Sequence, residues 1–119
     1  MKKILIIGAG AMGSAFSIPC AENNNDVTIM GSVLEDDFIS SIKSNKNLHP
    51  SLNIILPKNI KIEKFSAIAD TDLDLIVVAV SSAGIDWVGD EISKFYKSNT
   101  PIILLTKGLS IINDQLTTL

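Results

Sequence analysis

Hydrophobic positions in this chain alternate between short continuous runs and segments with helical spacing, and that alternation sets the expected fold. Lys3 to Ile7 runs from a lysine into four aliphatic residues. This is the pattern of a strand buried on both faces. Ala11 to about Glu22 reads as a helix with Ala15, Phe16 and Ile18 among its packing residues. Pro19 lies late in that segment and is expected to bend or shorten it. Asn23, Asn24 and Asn25 are expected to end it, because asparagine tolerates the left-handed conformation. Val27 to Met30 is a second strand. Asp36 to Lys43 is a second helix, with Phe38, Ile39 and Ile42 as its apolar positions.

Asn45 to Asn59 carries Pro50 and Pro57 and reads as a loop, and Ile60 to Ile62 as a short third strand. Leu75 to Val80 is the clearest strand after the first. Ser82 is expected to cap a helix running to about Tyr96. Ile85, Val88, Ile92 and Phe95 fall at helical spacing within it. Ile102 to Leu105 is the last strand. The chain has no repeats, low-complexity tracts or linker-like stretches. Strands alternating with helices imply parallel pairing through right-handed crossovers, so the expected fold is a doubly wound α/β sheet. With 119 residues, residues 1–119 form one domain.

Gly8-Ala9-Gly10-Ala11-Met12-Gly13 spells G-x-G-x-x-G between the first strand and the first helix. That context turns a weak string into the fingerprint of a Rossmann-type dinucleotide-binding domain. Gly8 permits the tight turn. Gly10, lacking a Cβ, lets the backbone approach a pyrophosphate. Gly13 lets the helix pack closely on the strand. The first helical amides then face the phosphates, and the helix dipole favours their charge.

An acid at the end of the second strand would bind the ribose 2′-hydroxyl of NAD and repel the extra phosphate of NADP. Gly31 and Ser32 stand there instead. The next acids, Glu35, Asp36 and Asp37, fall around a helix start, where capping and dipole complementation are their ordinary roles. No arginine replaces the missing acid, and Ser32 suits either nucleotide. The cofactor is therefore NAD or NADP.

Ligands of this fold bind outside the carboxyl ends of the strands. Three segments are expected to meet there: the glycine loop, Ser81-Ser82, and Thr106-Lys107-Gly108 after the last strand. Lys107 would project an ammonium group from that edge, suited to an anionic or carbonyl-bearing substrate. An ordinary surface lysine explains the same spacing equally well, and helix capping explains the two serines.

Charge and composition narrow the partners. A formal charge of −3 with scattered lysines argues against a nucleic-acid surface. The single cysteine, Cys20, excludes an internal disulfide. It is expected to pack as a small hydrophobe, and the single histidine, His49, to sit in a loop before Pro50. Lys2-Lys3 followed by apolar residues and Cys20 imitates a secretory or lipoprotein signal. Three glycines interrupt that stretch, and Pro19 directly precedes the cysteine. A buried strand and glycine turn account for it better. With no apolar run near the roughly 20 residues of a membrane helix, the protein is expected to be soluble and cytoplasmic.

Taken in order, Gly8–Ala15, Val27–Gly31, His49-Pro50, Val78–Ser82 and Thr106–Leu109 resemble the amino-terminal domain of NAD(P)-dependent glycerol-3-phosphate dehydrogenases, the archaeal branch most of all. The resemblance implies reversible hydride transfer between a nicotinamide cofactor and the glycerol 3-phosphate/dihydroxyacetone phosphate pair. It also implies that Ala11, Met12 and Ser32 contact cofactor, and that Lys107 contacts the phosphorylated substrate near the nicotinamide. Two departures stand out: Ser81 where the family often has proline, and Met12 where an aromatic residue is common.

The resemblance also implies a second, mostly helical domain carrying a general-acid lysine. The chain is thus expected to be part of a longer two-domain dehydrogenase, to hold a nucleotide weakly and to turn over little alone. Ketopantoate reductase-like and 6-phosphogluconate dehydrogenase-like enzymes begin similarly, with the Lys107-Gly108 placement as the discriminator. A non-catalytic nucleotide-binding module is the alternative of another class. Leu109, Ile111, Ile112 and Leu116 are candidates for self-association into a homo-oligomer.

Overall fold

A computed structural model of the protein describes residues 1–65, 72–81, 84–94 and 100–105, with the backbone of 109–112 and 115–118. Aliphatic runs become strands and amphipathic segments become helices, in the order β1 (Lys3–Ile7), α1 (Ala11–Glu22), β2 (Asp26–Met30), α2 (Asp36–Ser44), β3 (Leu48–His49), β4 (Ile54–Ile55), β5 (Ile60–Glu63), β6 (Leu75–Val78), α3 (Ile85–Ser93), β7 (Ile102–Leu104), β8 (Leu109–Ile112) and β9 (Gln115–Thr118). Five of these strands form one parallel sheet in the order β5-β2-β1-β6-β7. The chain winds outward from β1 through β2 to β5, then crosses back to build β6 and β7 on the other side. The strand order therefore reverses between β1 and β6, the position where this fold opens a crevice.

Alternating side chains of the central strands feed two cores. Ile4 and Ile6 join Val27, Ile29, Val77, Ile39, Ile42 and Ala21 on the face covered by α1 and α2. Leu5 and Ile7 join Ile76, Val78, Val88 and Ile92 on the face covered by α3. This two-sided burial is why β1 and β6 read as unbroken aliphatic runs. Cys20 packs at the margin of the first core, and burial raises its thiol pKa. It is a small hydrophobe, as expected. Among the described residues, no helix is long and apolar enough to cross a membrane, and no cluster of His, Cys, Asp or Glu is placed to hold a metal.

α1 ends at Glu22 as expected, while other features differ from expectation. Pro19 does not shorten α1, which continues to Glu22 with the Pro19 carbonyl accepting the Asn23 amide. Asn24 then adopts a φ of 61° and turns the chain toward β2. The segment expected to be loop from Asn45 to Asn59 holds a small antiparallel hairpin pairing Leu48 with Ile55 and His49 with Ile54. Lys46 and Asn47 enter it with left-handed φ values of 55° and 64°. The strand expected to reach Val80 stops at Val78, because its partner β1 ends at Ile7. The cap of α3 is Gly84 rather than Ser82, and no side chain caps it. Ser82, Phe95 and Tyr96 lie outside the described residues. Beyond β7 the backbone forms an antiparallel ribbon of β8 and β9 that the apolar pattern did not suggest. The side chains of Leu109, Ile111, Ile112 and Leu116 lie outside the described set.

Candidate functional site

The parallel register brings the strand ends level. Ile7 pairs with both Met30 and Val78, and Val78 pairs with Leu104. The residue leaving each strand donates to the last residue of its neighbour. Gly8 N–H reaches the Met30 carbonyl at 2.8 Å, Ala79 N–H reaches Ile7 at 2.8 Å, and Leu105 N–H reaches Val78 at 2.8 Å. The glycine loop, the Ala79-Val80-Ser81 turn and the chain leading toward Lys107 therefore start from one edge, as the sequence implied. Lys107 itself, with Thr106 and Gly108, lies outside the described residues.

Three glycines of the loop answer three different demands. Gly8 has a φ of +113°, and a Cβ built on it would stand 2.5 Å from the Ala79 carbonyl oxygen. Both the backbone and the neighbouring strand end require glycine. A Cβ on Gly13 would stand 2.7 Å from Ala79 Cβ and 3.2 Å from Ile6 Cγ2, so this glycine seats α1 on the sheet. Gly10 is unlike both. Its φ of −67° and ψ of 177° suit any residue, and nothing lies within 4 Å of a Cβ built there. The protein's own packing makes no demand for glycine at Gly10.

Gly10 also caps α1 without a side chain, and the first turn holds no acid. The opening amides of a helix lack intrahelical partners. Here no side chain caps α1, and the space beside Gly10 is open. Ala11 and Met12 are exposed, as a phosphate-binding edge requires.

The loop is held from below at one residue. Ala9 is fully buried. Its carbonyl accepts from His49 Nε2 at 2.8 Å and from Ser14 Oγ at 3.2 Å. Its amide donates to the Glu35 carboxylate, 3.3 Å from Oε1 and 3.2 Å from Oε2. The Leu52 amide donates to His49 Nδ1 at 3.3 Å. An amide can only donate, so Nδ1 is bare and Nε2 carries the hydrogen. The Phe38 ring meets the imidazole edge-on, with centroids 5.3 Å apart. His49 is thus not a loop residue but a fully buried strut under the glycine loop. Nothing local in the sequence marks it, since its partner lies 40 positions away.

Glu35 also departs from expectation. Its side chain does not cap α2. It folds back to accept the Ser32 amide at 2.8 Å as well as the Ala9 amide. It joins Gly10, Ser32, Ala79, Ser81 and Trp87 in lining a cleft of about 530 Å³ at the sheet edge. Ser32 and Ser81 line it as expected. Val33 and Leu34 stand exposed at its lip.

Known proteins resemble this chain in sequence and in fold. Residues 3–118 match the family described as NAD-dependent glycerol-3-phosphate dehydrogenase N-terminus. The NADP(+)-dependent glycerol-3-phosphate dehydrogenase of Archaeoglobus fulgidus is 32% identical over 109 residues, covering 89% of this chain and 31% of that protein. The glycerol-3-phosphate dehydrogenase [NAD(P)+] of Enterococcus faecalis is 33% identical, covering 91% of this chain and 32% of its own length. The crystal structure of glycerol-3-phosphate dehydrogenase from Coxiella burnetii superposes with a TM-score of 0.78 at 22% identity, over 92% of this chain and 33% of that one, and shares the fold. The chain spans about a third of the length of the curated relatives it matches.

Proposed function

This chain belongs to the NAD-dependent glycerol-3-phosphate dehydrogenase family, matching its N-terminal part, and from that premise we propose that residues 1–119 form the NAD(P)-binding domain of an enzyme interconverting glycerol 3-phosphate and dihydroxyacetone phosphate. Gly10 carries the reading. A glycine that neither backbone strain nor packing demands, at the mouth of an uncapped helix, leaves room for something outside the protein. A pyrophosphate fits: it is anionic, accepts several amide hydrogen bonds and needs close backbone approach. Ala11, Met12 and Gly13 would bind it through their amides, with Gly8 setting the turn. Ser32, Ser81 and Ser82 would border the nucleoside half of the cleft. The bound nicotinamide supplies the hydride chemistry.

Lys107 is the proposed substrate contact. Leu105, two residues before it, is anchored beside the end of β6, at the sheet edge from which the Ala79-Val80-Ser81 turn also leaves. Its ammonium would hold an anionic or carbonyl oxygen of the phosphorylated substrate. The remaining substrate contacts and a general acid would come from a second domain. The family match favours this reading over ketopantoate reductase-like and 6-phosphogluconate dehydrogenase-like enzymes, and over a non-catalytic nucleotide module.

The single tryptophan, Trp87, lines the cleft and gives a direct readout. Titrating the chain with NADH should quench its emission through energy transfer to the reduced nicotinamide, saturably. An unchanged signal at millimolar nucleotide would refute the dinucleotide reading. In a full-length dehydrogenase carrying this domain, Lys107→Ala should lower kcat/KM for dihydroxyacetone phosphate by about a hundredfold or more, as loss of a charged contact does. The NADH affinity should change little, and equal loss of both would point to a different role for Lys107.

A further inference from the structure

We propose that Glu35 is the residue that reads the adenosine ribose and makes this chain prefer NAD to NADP. The inference rests on the dinucleotide reading of the cleft and adds the cofactor choice that the residues directly after β2 left open. In the usual arrangement the acid stands at the end of the second strand. Here that place is taken by Gly31 and Ser32, and the chain runs on through Val33 and Leu34 before Glu35. The structure brings the acid back. Its carboxylate sits against the Ala9 amide of the glycine loop and the Ser32 amide that follows β2. It thus spans the two segments between which an adenosine ribose lies in this fold.

Those amides orient the carboxylate and leave it acceptor capacity. A carboxylate has about four lone-pair sites, and two amide donors do not fill them. A ribose 2′-hydroxyl donates one hydrogen bond and matches what remains. A 2′-phosphate donates none of comparable strength, brings further negative charge and meets a fixed anion instead. Among the described residues lining the cleft, no cation offsets that repulsion, and Glu35 is the only charged side chain. Asp36 and Asp37 follow it in the exposed first turn of α2 and add to the same negative field. The whole sequence contains no arginine, the residue that accommodates a 2′-phosphate in related sites.

The test compares NADH and NADPH on the chain through Trp87 energy transfer, for the wild type, Glu35→Gln and Glu35→Ala, with thermal melts to verify folding. The wild type should bind NADH at least about tenfold more tightly than NADPH. Glu35→Gln keeps an oxygen for the Ser32 amide but removes the charge. It should bring the two affinities within about threefold of each other, mainly by tightening NADPH. Wild-type protein binding NADPH as well as NADH would overturn the proposal whatever the variants do. A folded Glu35→Gln or Glu35→Ala protein that keeps the wild-type preference would overturn it as well. If neither nucleotide binds the wild type, the dinucleotide reading itself fails and takes this inference with it; binding of both without discrimination fails this inference alone.

Discussion

Gly8→Ala should cost the fold roughly 2–6 kcal/mol, whereas Gly10→Ala, two residues on, should leave stability within about 1 kcal/mol and weaken NADH binding at least tenfold. The first figure combines two terms. An alanine held at φ +113° is strained at about 1–3 kcal/mol. Its Cβ would also stand 2.5 Å from a backbone oxygen of Ala79, which cannot swing aside as a flexible side chain would. Overpacking of this kind adds roughly 1–3 kcal/mol. Against a total stability of about 5–15 kcal/mol for an ordinary domain, Gly8→Ala approaches unfolding.

Gly10→Ala meets neither term. Its dihedrals are open to alanine, and the new methyl enters empty space. Alanine is a poorer helix cap than glycine, but it also restricts the unfolded chain, and the two effects oppose each other. The methyl would then occupy the approach to the opening amides of α1. Urea denaturation of both variants, alongside NADH titration of Gly10→Ala, separates the roles. A Gly10→Ala protein that binds NADH as wild type does would remove the reason for a glycine there, and with it the main support for a pyrophosphate at that turn.

The sequence foretold those elements whose causes are local. The run Ile4–Ile7, the glycines that follow and the asparagines after Glu22 bounded β1, the loop and α1 within a residue. Each signal there acts over a few positions: continuous burial, freedom at positive φ, a left-handed exit at Asn24. The start of α3 was misplaced because Ser82 has the better capping side chain, while the helix begins after Gly84. A Cβ on Gly84 would come within 3.2 Å of Val80, so its fit against the turn after β6 is a tertiary matter. The hairpin of β3 and β4 escaped notice because each strand has two residues, too short for a period of two to declare itself.

The two side chains that shape the glycine loop carry no local signal, for a stronger version of the same reason. Glu35 meets Ala9 across 26 positions and His49 meets it across 40. No helical or strand period connects such residues. Only the doubly wound path, which returns α2 and the hairpin beneath the first loop, brings them to one residue. A lone histidine between two polar stretches carries no local mark of burial, and an acid beside a helix start is ordinarily a cap. Sequence reading therefore located the loop that would grip a ligand, but not the groups that hold that loop in shape.

His49→Ala should lower stability by roughly 3 kcal/mol and weaken NADH binding beyond what the stability loss explains. The imidazole is fully buried, so truncation removes its contacts with Phe38 and leaves a cavity. It also leaves the Leu52 amide without its acceptor and takes one of two side-chain donors from the Ala9 carbonyl. A buried group left unpaired costs about 1–3 kcal/mol, and the part-buried Leu52 amide falls at the low end of that range. The binding effect follows from position. Ala9 lies between Gly8 and Gly10, and freeing its carbonyl loosens the turn that aims the amides of α1. Part of the nucleotide's binding energy must then go into reordering that turn.

His49→Gln separates the contributions. Its terminal amide can donate to the Ala9 carbonyl as Nε2–H does, but it offers the Leu52 amide no acceptor at the Nδ1 position. NADH affinity should recover toward wild type while thermal stability recovers only in part. Denaturant melts and Trp87-based titration of both variants decide the matter. If His49→Ala binds NADH with wild-type affinity at a temperature where it remains folded, the histidine supports the hairpin alone and the shape of the glycine loop is set without it.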